Sequence, residues 1–181
     1  ELLALAGFNF TVCPAKGEEV TTKTLPCDIV CELAHQKAFE IAKAQKAPCY
    51  VIGADTIVAF ENRILGKPKD SADAVRMVSM LQGSTHQVYT GVTLIEVCTD
   101  GSLREKSFYE ETNVHVCQMT KDEIASYVAT GEPLDKAGAY GIQGTFSIYV
   151  SGIEGDYFNV VGLPISRFYH EFASFQNAAH K

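Results

Sequence analysis

Tryptophan is missing from the 181 residues, lysine and arginine number only 15 against 22 acids, and six cysteines form no CxxC pair. Each shortage excludes something. A formal charge of −7 leaves no broad basic face for nucleic acid, because such binding rests on many phosphate-neutralising cations. Cys13, Cys27, Cys31, Cys49, Cys98 and Cys117 show no zinc spacing, and His35, His86, His115, His170 and His180 never pair at i,i+4. A zinc enzyme is therefore not expected, and the cysteines read as small core hydrophobes of a reduced, cytoplasmic protein. The longest apolar stretch, Pro48 to Phe60, is too short for a spanning helix and is interrupted by Gly53 and Asp55, so no membrane partner is expected. No basic segment followed by an apolar one opens the chain, which argues against a secretion signal.

What is present is a composition fit for a core: 46% hydrophobic and 10% aromatic residues, in a length typical of one domain. Glu1–Ala6 reads as a helix end stopped at Gly7, followed by an extended run to Cys13 and a polar loop from Pro14 to Pro26. Apolar residues Ile29, Val30, Leu33, Ala34, Ala38 and Ile41 recur at helical spacing from about Cys27 to Gln45, with Lys37 on the polar side. Tyr50–Ile52 and Thr56–Phe60 read as two β runs around Gly53-Ala54-Asp55, before a turn at Glu61-Asn62-Arg63. Asp70 is placed to cap a helix over Ser71–Gln82 with Ala74, Val75, Val78 and Leu81 inward. Long strands are expected at Gln87–Val97 and Phe108–Met119, joined through Asp100-Gly101. Thr120 to Glu123 forms a capping box for a helix ending at Gly131. Phe146–Val150 and Tyr157–Val161 read as strands, and Pro164 opens a last helix with Ile165, Phe168 and Phe172 on one face. Helices alternate with hairpin signals, so a single α/β domain with a mixed sheet fits better than an all-parallel one.

Three polar segments interrupt this pattern. In Gly53-Ala54-Asp55-Thr56 an acid splits two β runs; it either caps a turn or serves as metal ligand or general base at a strand end. In Leu65-Gly66-Lys67-Pro68, Pro68 holds Lys67 extended and Gly66 permits close backbone approach. Lys67 is then either a solvated lysine or a point charge for a phosphate. The run Asp135 to Gly144 carries Lys136, Gln143 and three glycines, suited either to a plain turn or to backbone N–H groups approaching a ligand. Gln143 offers one donor and one acceptor to a base edge. Neither a Walker A nor a Rossmann glycine spacing is present, Ser147 and Ser151 lack a nucleophile elbow, and His86 suits a structural hydrogen bond better than catalysis. Lysines near a carboxylate and a glycine-rich loop point to metal-assisted phosphoryl or nucleotide chemistry, with the substrate left open.

Taken in order, these segments resemble the Maf family of nucleoside triphosphate pyrophosphatases. The resemblance runs over Glu1-Leu2-Leu3, Leu33-Ala34 with Lys37-Ala38, Gly53-Ala54-Asp55-Thr56, Gly66-Lys67-Pro68, Leu81–Gly83 with His86, Val88 and Thr90, Asp135–Gly144, and Gly155-Asp156 with Asn159–Pro164. It implies cleavage of a nucleoside triphosphate between the α and β phosphates, with a divalent cation such as Mg²⁺ or Mn²⁺. It also implies the mixed α/β fold shared with inosine triphosphate pyrophosphatases, a twisted sheet flanked by helices with a cleft between two lobes. Carried over, Asp55 is the base or metal ligand, Glu19 a second metal-site acid, and Lys37 and Lys67 phosphate ligands, with Lys136 also on the substrate. Thr56 and Gln143 match the subgroup acting on dTTP, UTP and modified uridine nucleotides; a 7-methyl-GTP subgroup would differ after the acid and lack the Lys136–Gly144 run. A homodimer is a family-level implication. The resembling proteins open with a strand and a Ser-x-Ser-Pro-Arg-Arg phosphate loop ahead of the segment matched at Glu1-Leu2-Leu3, and the expectation is that this stretch has been trimmed from residues 1–181. The alternatives are an inosine or xanthosine triphosphatase, and a non-catalytic nucleotide-binding regulator of cell division.

Overall fold

The computed structural model describes residues 1–46, 48–61 and 63–178. Helix α1 (Leu2–Leu5) precedes a long coil and then α2 (Pro26–Ala44), β1 (Cys49–Phe60), β2 (Arg63–Leu65) and α3 (Ser71–Leu81). Strands β3 (Thr85–Val97) and β4 (Leu103–Val116), α4 (Lys121–Ala129), three short 3₁₀ turns, β5 (Val150–Glu154), α5 (Tyr157–Val161) and α6 (Ile165–Asn177) follow. The sheet order is β2-β1-β3-β4-β5. The β1–β2 and β4–β5 pairs are antiparallel, with Val58 opposite Leu65 and Val114 opposite Ile153, which sets aside the all-parallel arrangement. The α/β sheet flanked by helices is as expected. Two compact units share the chain: Glu1–Asp55, Thr90–Glu110 and Gly162–Lys181 in the first, Thr56–Tyr89 and Glu111–Val161 in the second.

In the first unit, Val92, Leu94 and Phe108 pack with Phe168 and Phe175 of α6 and with Phe8. The Phe8 and Phe168 rings meet edge to face at 5.3 Å, a favoured aromatic geometry. In the second, α3 buries Ala74, Met77, Val78 and Leu81 against Ile124, Tyr127 and Val128 of α4 and the strand residues Val58, Val88 and Val114. Local signals place both of these helices. The Asp70 carboxylate accepts from Asp73 N at 2.8 Å, and Thr120 and Glu123 complete the reciprocal capping box; such a cap contributes about 1 kcal/mol.

Several expectations are corrected. The two β runs around Asp55 are one strand, β1, because the Asp55 carboxylate has a cationic partner and does not break the ladder. Val75 is 38% exposed, since the buried stripe of α3 runs 74, 77, 78, 81 and Val75 lies about 100° around the helix from Ala74. Residues Thr145–Tyr149 form a 3₁₀ turn, and Phe146 enters the core with no exposure. Tyr157–Val161 is a helix: the Asp156 carboxylate accepts from Phe158 N at 2.8 Å, an Asx cap that overrides the β-rich composition. None of the cysteines is buried; Cys13 and Cys117 are exposed and the other four are partly so. In the expected Glu61-Asn62-Arg63 turn, Asn62 lies outside the described residues, as does His180.

Candidate active site

Helix α2 and strand β1 build the first cluster. Ala34, Lys37 and Ala38 share one helical face, and the strand crosses that face at Gly53. A Cβ there would lie 2.4 Å from the Ala34 carbonyl oxygen and 2.8 Å from the Ala38 Cβ, so only glycine allows the contact. Asp55, two residues on, points to the same side of the strand. Its carboxylate accepts from Lys37 Nζ at 2.6 Å.

The coil before α2 supplies the second acid. It runs along the helix, held at three successive turns: Glu40 accepts from Lys16 N and Gly17 N at 2.9 Å each, Gln36 accepts from Val20 N at 3.2 Å, and Thr21 donates to Glu32. Residues 32, 36 and 40 form an i,i+4 row. This anchoring brings Glu19 to Lys37 Nζ at 3.1 Å. Lys37 is thus clamped between two carboxylates. Its burial pulls the ammonium pKa down, but the hydrogen bonds and charges of Asp55 and Glu19 prevail and leave it raised. Two carboxylates against one ammonium give the cluster a formal charge of −1. Oxygen donors of this type suit a hard divalent cation whose coordination is completed by water. Among the described residues no group of three or more His, Cys, Asp or Glu gathers to hold a metal by itself.

The second unit holds a cavity of about 510 Å³ lined by Thr56, Val58, Lys67, Val88, Glu132, Lys136, Tyr140, Gln143 and Val160, among others. Thr56 and Val58 point into it from one face of β1, at a spacing of two. Gly138 N donates to the Gly66 carbonyl at 3.1 Å, which ties the segment bearing Lys67 to the glycine-rich run bearing Lys136. Gly138 (φ +69°) and Ala139 (φ +61°) both adopt left-handed backbone, and a Cβ at Gly138 would press on Val58 at 2.8 Å. That turn sends Tyr140 into the core, where its hydroxyl meets His86 Nε2 at 2.7 Å. His86 is fully buried; burial, with a smaller contribution from the His115 charge, pushes its pKa down to about 4, so the ring is neutral. Lys136 pairs with Asp135 at 2.7 Å.

The structure therefore gathers the expected residues in two places. Glu19, Lys37 and Asp55 meet in one unit; Thr56, Lys67, Lys136 and Gln143 line a cavity in the other. Asp55 and Thr56 are consecutive along β1. Sequence reasoning missed Glu132, whose carboxylate accepts from Thr145 N and Oγ1 at 2.8 and 2.6 Å. The available signal was an acid in a Gly-Glu-Pro turn just ahead of the glycine-rich run.

A family model described as Maf-like protein matches residues 1–175. A protein of Agathobacter rectalis named dTTP/UTP pyrophosphatase is 52% identical over 183 residues, covering 94% of this chain and 89% of its own. Proteins of the same name from Lachnoclostridium phytofermentans and Bacillus cytotoxicus are 49% and 48% identical, covering 97% and 99% of this chain and 89% and 91% of theirs. No helix among the described residues is long and apolar enough to cross a membrane.

Proposed function

Since the chain belongs to the Maf-like protein family, we propose that it is a nucleoside triphosphate pyrophosphatase, hydrolysing dTTP, UTP and modified pyrimidine nucleotides to the monophosphate and pyrophosphate. The observation that carries the reading is the Asp55 carboxylate, mostly buried at 11% exposure, sharing the Lys37 ammonium with Glu19. A buried carboxylate at the end of an apolar strand segment is costly unless paired, and here its partner is a cation suited to phosphate.

The base takes the cavity lined by Val58, Val88, Tyr140 and Val160, where Gln143 presents an amide to its polar edge. Lys67 and Lys136 stand at that cavity to neutralise phosphate oxygens. Water attacks the phosphorus, the bond to the bridging oxygen breaks, and pyrophosphate leaves with the electron pair. Asp55 accepts the water proton or holds the cation, and Lys37 stabilises charge that grows on the phosphate oxygens in the transition state. Glu19 and Asp55 would hold a divalent cation, which when bound neutralises phosphate charge and acidifies the attacking water.

Pyrophosphate release with Mg²⁺ across dTTP, UTP, CTP, ITP and 7-methyl-GTP tests the assignment. Turnover of dTTP and UTP above the others is expected; preference for ITP would favour a purine triphosphatase instead. Asp55→Asn should lower kcat by about a hundred- to a thousandfold or more, the order seen when an essential proton-transfer or charge-stabilising group is lost, with the thermal transition retained. Full turnover in that variant removes Asp55 from the mechanism.

A further inference from the structure

Glu132 stands beside the base cavity yet points away from a simple solvent role. One oxygen accepts from both the backbone N–H and the hydroxyl of Thr145, at 2.8 and 2.6 Å, and the other accepts from the Tyr127 hydroxyl at 3.2 Å. Tyr127 is buried at 3% exposure in the core of the second unit. Directly over the carboxylate lies Gly144: a Cβ there would fall 2.2 to 2.6 Å from three carboxylate atoms. Gly144 N in turn donates to the Gly141 carbonyl at 3.1 Å, closing the turn that carries Gln143. The chain on the far side of Gln143 is therefore strapped through Thr145 and Glu132 to a buried tyrosine, while Gln143 itself is exposed. The hydrogen bonds from Thr145 outweigh partial burial and hold the Glu132 carboxyl below its ordinary pKa, so it is anionic at neutral pH.

We propose that Glu132 is a positioning residue that fixes the Gln143 turn and thereby sets discrimination between uracil and cytosine bases; this rests on the reading of Gln143 as the residue facing the base. Uracil and cytosine exchange donor and acceptor along one edge, and a glutamine amide can rotate to meet either, so how well it separates them depends on the reach and direction at which its turn presents it. A turn released from its strap must be ordered by the ligand, and that cost falls on binding.

The experiment measures kcat/KM for UTP and CTP in the wild type, Glu132→Ala, Glu132→Gln, Gln143→Ala and the Glu132→Ala/Gln143→Ala double variant. Glu132→Ala is expected to reduce the UTP:CTP ratio about tenfold, chiefly through KM for UTP. Glu132→Gln should restore most of the ratio, because its amide oxygen still accepts from Thr145 while its NH₂ meets the Tyr127 oxygen. In the Gln143→Ala background the Glu132 change should have no further effect on the ratio. If Glu132→Ala does not fold, Gly144→Ala, which drives a methyl group into the carboxylate, reads the same coupling. A lower transition temperature with an unchanged ratio overturns the positioning role and leaves a structural one. A ratio that falls with Gln143→Ala but not with Glu132→Ala overturns this inference alone. No change with Gln143→Ala overturns the base-reading assignment and this inference with it.

Discussion

Gly53→Ala should damage activity without touching any group that meets the substrate. The added Cβ would sit 2.4 Å from the Ala34 carbonyl oxygen and 2.8 Å from both the Ala38 nitrogen and Cβ. Two of these are backbone atoms of a 19-residue helix whose Val30, Leu33, Ala34, Ala38 and Ala42 are buried, so no flexible side chain can swing clear. Relief requires β1 and α2 to separate by roughly 1 Å at the crossing, and overpacking of this kind costs about 1–3 kcal/mol. For a chain of this size that corresponds to a fall in Tm of roughly 3–10 °C. The same displacement acts on the Lys37–Asp55 contact, now 2.6 Å, because Asp55 is two residues along the same strand face. Misplacing a reacting group by about 1 Å costs up to a hundredfold in rate, so kcat/KM for UTP should drop by one to two orders of magnitude. Scanning calorimetry and steady-state pyrophosphate release read the two effects. Gly66→Ala is the control for stability, since its Cβ meets nothing within 4 Å, and it should stay within about 0.5 kcal/mol of wild type. A Gly53→Ala protein with wild-type Tm and wild-type kcat/KM would refute the claim that this crossing positions the acid.

Two further outcomes follow from the charges. The folded His86 pKa lies near 4 against about 6.5 when unfolded, so between those values the unfolded chain binds a proton that the folded one does not. Stability therefore falls as pH drops through that window, by about 3 kcal/mol when complete. Urea titrations at pH 7, 5.5 and 4.5 should show the decline, and His86→Gln should flatten it; an unchanged slope removes His86 as its source. Lys37, raised above its ordinary 10.5 by Asp55 and Glu19 despite burial, stays cationic throughout the neutral range. The pH profile of kcat/KM should then carry no limb from Lys37 between pH 7 and about 10; a limb near pH 8–9 that disappears in Lys37→Arg contradicts the clamp.

Local chemistry made much of the fold legible. The Asp70 cap, the Thr120–Glu123 box, the Asp100-Gly101 turn and the Phe168 stripe of α6 are signals spanning a few residues, and each stands where expected. Failures arose where a distant partner decides. β1 reads as two strands until Lys37, 18 residues earlier, neutralises Asp55. Helix α5 reads as a strand until Asp156 caps it and Asn159 turns inward to donate to the Val88 carbonyl and to Thr112, each at 3.0 Å. His86, whose place in the sequence suits a structural hydrogen bond, meets the Tyr140 hydroxyl at 2.7 Å. Glu132 escaped because its partners lie on both sides of the glycine-rich run, where spacing alone carries no hint of them. The cysteines misled because their apolar character permits burial without requiring it.

Under the proposed function an acidic chain binds a polyanion, and local charge decides how. The formal charge of −7 is spread over the whole chain, and at physiological salt an exposed charge is largely screened beyond about 8 Å. What a triphosphate meets is therefore local. At the Glu19–Lys37–Asp55 cluster the Lys37 ammonium is already shared by two carboxylates, so these three groups together offer a bare polyphosphate no net positive charge. At the cavity, Lys136 is engaged by Asp135 while Lys67 lines the same wall. A divalent cation accompanying the nucleotide would convert the cluster from formal −1 to +1 and reverse the sign of the interaction. Under the proposed function, the same acids that weaken binding of bare polyanions, nucleic acid included, favour a nucleotide that arrives with its cation.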